Sequence, residues 1–312
     1  MKLSVAVDIY IQRRQDAGEK FDSGKMRLHS FRRFCGDIAL CRITAQQVSA
    51  FLNSSRMLPN TRSMKLGTLN GFFEYWATRS KLKRIPVPPR IPTPPHTFVP
   101  YIYSRSELRA LLDAVPQCQR LSACSMSRDT FRTLLLFLYG TGMRVSEALG
   151  LRLMDVDLKR SVVTIRNTKF YKSRLVPLGP GVQKLIKRHL QLPDLRNQPS
   201  QPLFQTKKHH AIPIGIVDMS FARLRSLVGI SRDAKSSCQP RLHDLRHTFA
   251  VHRLIAGYRR NEDVQRLIPA LSTYLGHRDL NGTQRYLTMT PELLTEANRN
   301  FERYACGGAN ER

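Results

Sequence analysis

The chain has 312 residues, 41% hydrophobic and 24% charged, the make-up of a folded protein with room for two domains and not of a disordered tail. Its 51 lysines and arginines against 23 acidic residues give a formal net charge of +28, a self-repulsion that a polyanion relieves, so nucleic acid is the expected partner and a membrane surface the weaker one. No apolar run reaches the length of a membrane span, Asp8 breaks the apolar Met1–Ile11 stretch, and Cys35, Cys41, Cys118, Cys124, Cys238 and Cys306 form no C-x-x-C pair. A cytoplasmic, bacterial-type, nucleoid-associated protein with reduced thiols is expected.

From the N-terminus, apolar residues at helical spacing predict helices over Leu3–Gln15, Lys25–Phe34, Thr44–Leu52 with Thr44 as cap, and Arg62–Thr78. These make residues 1–84 a small helical bundle. It holds 16 lysines and arginines against 6 acidic residues, and Lys25, Arg27, Arg32, Arg33, Arg62 and Lys65 are its candidate DNA-contacting side chains. Residues 85–100 carry seven prolines and read as an extended linker. At about 3.1 Å per residue it would span roughly 45 Å, enough to pass from one side of a duplex to the other.

In residues 101–312, helices are predicted over Ser106–Leu112, Thr130–Tyr139, Gly181–His189, Ile216–Leu227, His243–Ala256, Asp263–Leu275 and Pro291–Phe301. The β-branched runs Ser161–Arg166 and Ser173–Leu178 predict two strands. Together they make a mainly α domain with a small antiparallel sheet. Within it, Thr141-Gly-Met-Arg144 places a glycine turn before a short helix, with Arg144 at its start and Glu147 three residues on to hold the guanidinium. His243 and Arg246 stand at i and i+3 and project from one helical face. His243 and His247 have a spacing that could suit a metal, but H-E-x-x-H and an acidic third ligand are missing, so no metal site is expected. Two permanent cations, proton-carrying imidazoles and Tyr286, nine residues after His277, are the groups needed to grip and attack a phosphodiester.

The blocks Thr141-Gly-Met-Arg-Val-Ser-Glu-Ala-Leu-Gly-Leu151 and His243-Asp-Leu-Arg-His-Thr-Phe-Ala250, with Leu275-Gly-His277 and Thr283 ahead of Tyr286, resemble the tyrosine recombinase family, the phage integrase-like site-specific recombinases. The resemblance runs from about Tyr101 to Tyr304. It implies that Arg144 and Arg246 clamp the phosphate, that His243 and His277 are the family's two histidine positions, and that Tyr286 is the nucleophile. The catalytic lysine of the family lies on a hairpin between two strands, which here offers Lys169 or Lys172. Phe170-Tyr171 stands where a glycine-rich turn is often found, and the spacer through Gly257–Pro269 is longer than usual.

The resemblance further implies cleavage and rejoining of double-stranded DNA at specific recombination sites through a 3′-phosphotyrosyl link, with no cofactor, metal or ATP. It also implies four protomers, identical or mixed with accessory recombinases, on two paired sites. The basic surface and the departures point to the integrase or transposase of a mobile element. Two alternatives stay open at this level: DNA relaxation of the type IB topoisomerase kind, and a non-catalytic DNA-binding protein on the same fold. The tail beyond Pro291 packs either on its own domain or in a neighbour.

Overall fold

The computed structural model describes residues 1–54, 59–79, 81–82, 84–89, 99–120, 124–166, 173–193, 195, 198–232, 238–260, 262–276, 286, 293–296 and 298–299, with the side chains of 264 and 265 excepted. The chain divides into two compact units, one in Met1–Phe98 and the other in Val99–Thr168 and Ser173–Arg312.

Among its described residues the first unit contains four α-helices: α1 (Leu3–Asp16), α2 (Asp22–Cys35), α3 (Ala45–Asn53) and α4 (Pro59–Ala77). Leu3, Ala6, Val7, Tyr10 and Ile11 form the buried stripe of α1, and Leu66, Leu69, Phe72, Phe73 and Trp76 that of α4. These stripes meet Leu28, Phe31, Val48 and Phe51 in one core, where each fully buried large side chain contributes about 1.5–3 kcal/mol. Thr44 caps α3 as its sequence predicts: the Gln47 N–H donates to Thr44 Oγ1 at 3.2 Å and the Thr44 N–H donates to Gln47 Oε1 at 3.0 Å. Helix α4 begins three residues ahead of the predicted Arg62, because Pro59 suits a first helical turn, where a missing N–H is harmless.

The second unit is also mainly helical. Its helices are α5 (Arg105–Cys118), α6 (Arg128–Thr141), α7 (Val145–Leu149), α8 (Pro180–Leu190), α9 (Ile214–Leu227), α10 (Asp244–Arg259) and α11 (Val264–Leu275). Residues 293–296 are helical as well. One antiparallel sheet in the order β1-β2-β3 is formed by Val156–Asp157, Val162–Ile165 and Arg174–Pro177, with Val163 opposite Val176 and Ile165 opposite Arg174. The two-residue β1 is too short to leave a periodic signal and is absent from the sequence expectation.

Two local signals fix the starts of α5 and α6, which precede the site in the chain. Ser104 and Glu107 form a capping box at the start of α5, and Ser127 Oγ accepts the Thr130 N–H at 3.1 Å at the start of α6. Helix α10 packs against α6 and α11, and its apolar face (Phe249, Ala250, Val251, Leu254, Ile255) builds a second core with Leu271, Leu275, Tyr286 and Leu293. That face also explains why α10 is a fixed platform for polar groups at its N-terminal end.

Candidate active site

The turn between α6 and α7 sets the first arginine. Gly142 has φ +61°, a left-handed conformation that ends α6, and a Cβ there would lie 2.4 Å from Phe249 Cδ1. Only glycine meets both conditions. Two residues later Arg144 occupies the N-cap of α7, with Nη1 donating to Glu147 Oε1 at 2.8 Å and Nη2 to the Gly276 carbonyl at 3.2 Å.

The second arginine comes from the first turn of α10. Arg246 is 3% exposed, and its two terminal nitrogens donate to the Gly142 and Leu275 carbonyls, each at 2.7 Å. These carbonyls belong to the C-terminal ends of α6 and α11, which have no further helical donors and carry the negative end of the helix dipole. The two helix ends therefore act as fixed acceptors that orient both guanidiniums. Burial first, and then repulsion from Arg144, pushes the Arg246 guanidinium down to about 10, so it stays charged at neutral pH under strain that an anion would relieve.

Glu147 is gripped from two sides. Arg174, the first residue of β3, forks onto it with Nη1 to Oε1 at 2.9 Å and Nη2 to Oε2 at 2.8 Å, while the Arg144 N–H donates to Oε2 at 3.1 Å. Burial would raise the Glu147 carboxyl, but the fork from Arg174 and the bond from Arg144 override it and hold it at about 2.

His243, the N-cap residue of α10 and not part of the helix proper, is half-buried. Burial, then the charges of Arg246 and Arg241, lower its imidazole below the ordinary 6.5, so it is neutral near pH 7 and able to accept a proton. One turn on, the ring of His247 stands edge-on to His243 at 5.2 Å between centroids, and its Nδ1 lies 2.9 Å from the Tyr286 hydroxyl. Tyr286 is 1% exposed and sits in the α10–α11 core, near enough to Arg246 to act on its charge.

A cleft of about 590 Å³ opens beside these groups between α7, α9 and the start of α10, and Arg144, His243, Arg225, Arg241 and Gln239 line it. Arg144, His243, Arg246 and Tyr286 thus lie in one unit and, with their partners, around one region. His277, Lys169 and Lys172 lie outside the described residues. In the first unit Lys25 and Arg33 are exposed, while Arg27 donates to Thr68 Oγ1 at 3.2 Å and Lys65 stands 4.7 Å over the Phe51 ring. Arg32 and Arg62 are half-buried. Among the described residues no three His, Cys, Asp or Glu side chains gather as a metal site would need. Sequence reasoning missed Arg174 and the role of His247. The second had a signal, since i+4 from His243 places it on the same face; the first had none beyond lying in a strand next to the lysine hairpin.

Residues 104–292 match the model of the phage integrase family. The relative named "Putative integrase/recombinase y4rB" of Sinorhizobium fredii is 35% identical over 96% of this chain and 96% of its own length. Tyrosine recombinase XerC of Staphylococcus carnosus is 28% identical over 82% of this chain and 80% of its own. In fold, the chain is similar to the Tn1549 transposon integrase in complex with transposon right end DNA, with a TM-score of 0.67 at 16% identity, over 98% of this chain and 100% of that one. A lambda integrase tetramer bound to a Holliday junction gives a TM-score of 0.67 at 16% identity, over 92% of this chain and 77% of that one. A mainly helical unit with a small antiparallel sheet is the fold that the chain shares with these integrases. The chain belongs to the phage integrase family.

Proposed function

We propose that this chain cuts and rejoins double-stranded DNA at specific sites with Tyr286 as the nucleophile. The observation that carries this reading is the convergence of Arg144 and Arg246 on the carbonyls of Leu275 and Gly276, beside neutral His243 and the His247–Tyr286 pair. The scissile phosphate would lie against the two guanidiniums, which neutralise charge on its non-bridging oxygens as the transition state forms. The phenol proton passes to the histidine pair, in which His247 is already in contact with the hydroxyl and neutral His243 stands beside it to keep a proton acceptor at hand, and the Tyr286 oxygen bonds to phosphorus. The bond from phosphorus to the 5′ oxygen breaks, and Lys169 or Lys172 supplies that oxygen with its proton. His277 adds a hydrogen bond to the phosphate.

The 3′-phosphotyrosyl link keeps the phosphodiester energy, so a 5′-hydroxyl from a second strand reverses the step without ATP. Exchange between partners needs two DNA sites, which the reading fills with four protomers, identical or mixed with accessory recombinases. The helical unit within residues 1–84 is assigned to DNA binding, with Lys25 and Arg33 the exposed members of its basic set, and residues 85–100 to the linker. Among the described residues no helix is long and apolar enough to cross a membrane. A cytoplasmic enzyme at the nucleoid, serving a mobile element, is the setting this reading favours, in keeping with a fold similar to that of a transposon integrase.

The test is a plasmid carrying two copies of the DNA that flanks the encoding gene, scanned for inverted repeats. Recombinant products in EDTA support the reading. Relaxed plasmid without recombinants, irrespective of the repeats, would replace it with topoisomerase-like relaxation, and binding without any strand breakage would replace it with a non-catalytic protein.

A further inference from the structure

We infer that Arg174 is a positioning residue of this site: by saturating Glu147 it leaves Arg144 free to hold the phosphate. The inference rests on the reading of Arg144 as a phosphate-binding cation. A carboxylate has about four acceptor sites. Glu147 uses all of them, two for the fork from Arg174 at 2.9 and 2.8 Å, one for Arg144 Nη1 at 2.8 Å and one for the Arg144 backbone N–H at 3.1 Å. Arg144 is therefore held by one side-chain bond to Glu147 and one to the Gly276 carbonyl at 3.2 Å. Among the described residues nothing else accepts from the other three of its five N–H groups, and its side chain is 40% exposed toward the cleft it lines, against 18% for Arg174.

Charge leads to the same assignment. Two guanidiniums on one carboxylate leave a net positive charge on the trio, and the more exposed arginine is the one that can present it to DNA. Without Arg174, Glu147 would face Arg144 alone with two vacant lone pairs. The arginine–carboxylate pair prefers the two-bond fork, so Arg144 would turn onto Glu147 and its charge would be cancelled. The fold defends the arrangement: Gly276 lies flat against Arg174, and a Cβ there would stand 2.8 Å from Nη1 and 3.0 Å from Cζ. A lysine at 174 would keep the charge but could not engage both oxygens.

The test measures single-turnover formation of the covalent adduct on a nicked suicide duplex made from the element's own end sequence, with binding affinity for the same duplex measured in parallel. Variants are Arg174→Met, Arg174→Lys, Glu147→Gln and the double variant Arg174→Met with Glu147→Gln. Arg174→Met should slow adduct formation roughly 10²-fold, the scale of a misplaced catalytic group, while affinity changes little. The double variant should be faster than Arg174→Met alone, because a neutral glutamine no longer captures Arg144. A merely structural ion pair would show this recovery only in unfolding stability, with the folded protein forming adduct at the wild-type rate in every variant. If Arg174→Met fails to fold, Arg174→Lys decides: a slowed adduct supports the inference and a wild-type rate overturns it. A wild-type rate in Arg174→Met, or a double variant no faster than it, also overturns it. Failure of the wild-type chain itself to form an adduct would instead defeat the underlying reading of the site.

Discussion

Replacing Arg246 by glutamine separates a catalytic cation from a structural strut. The depression of its guanidinium from 12.5 to about 10 corresponds to roughly 3 kcal/mol of unfavourable burial and repulsion in the DNA-free protein. Against this stand the bonds to the Gly142 and Leu275 carbonyls, of which a glutamine amide can keep one. Losing the other charge-assisted bond costs about 1.5–3 kcal/mol. The two effects nearly cancel, so Arg246→Gln should unfold within about 1 kcal/mol of wild type when no DNA is present. At the transition state nothing cancels: the loss of a fixed donor to a developing oxyanion is worth roughly 10²–10³ in rate. Thermal unfolding and single-turnover adduct formation on a suicide duplex measure the two sides. A variant that unfolds several kcal/mol more easily while its folded fraction cleaves at the wild-type rate would refute the argument and make Arg246 a strut.

The remaining predictions concern the surroundings of the arginine pair. Glu147 is held at about 2, below its ordinary 4.5, so its contribution to stability is present in full above 4.5 and is lost as pH falls through that window. Acid unfolding of Glu147→Gln should accordingly show a shallower loss between pH 4.5 and 2, by on the order of 3 kcal/mol; superimposable acid profiles would contradict it. His243 lies below 6.5 because of burial and then Arg246 and Arg241, so the acid limb of the cleavage rate should fall below that value and move to higher pH in Arg241→Gln, read from rate against pH. Gly142→Ala should destabilise the chain by at least about 1–2 kcal/mol from the left-handed backbone alone, with more from the contact 2.4 Å from Phe249, as measured by urea unfolding.

How much of this was legible in the sequence depends on the range over which each group acts. The glycine turn before Arg144 and the Arg144–Glu147 pair are local, three or four residues long, and the chain order alone places them. So do the cap at Thr44 and the two strands flanking the lysine hairpin. Arg174 was not legible, since it meets Glu147 across 27 residues and through the first register position of β3, which no periodicity encodes. The carbonyl anchors of Arg246 were hidden for the same reason: backbone acceptors at the ends of α6 and α11 carry no residue signature. His247 was visible as a neighbour of His243 on one face, but its contact with Tyr286 depends on a chain return of 39 residues. In each case the type of side chain was readable and its partner was not.

The most direct measurement is the identity of the residue that carries DNA. Wild-type protein trapped on a nicked suicide duplex, digested and sequenced by mass spectrometry, should yield a single nucleotide-bearing peptide modified at Tyr286 and joined to a 3′ phosphate, with no such peptide from Tyr286→Phe. A nucleotide on any other residue, or an adduct that persists in Tyr286→Phe, would contradict the account.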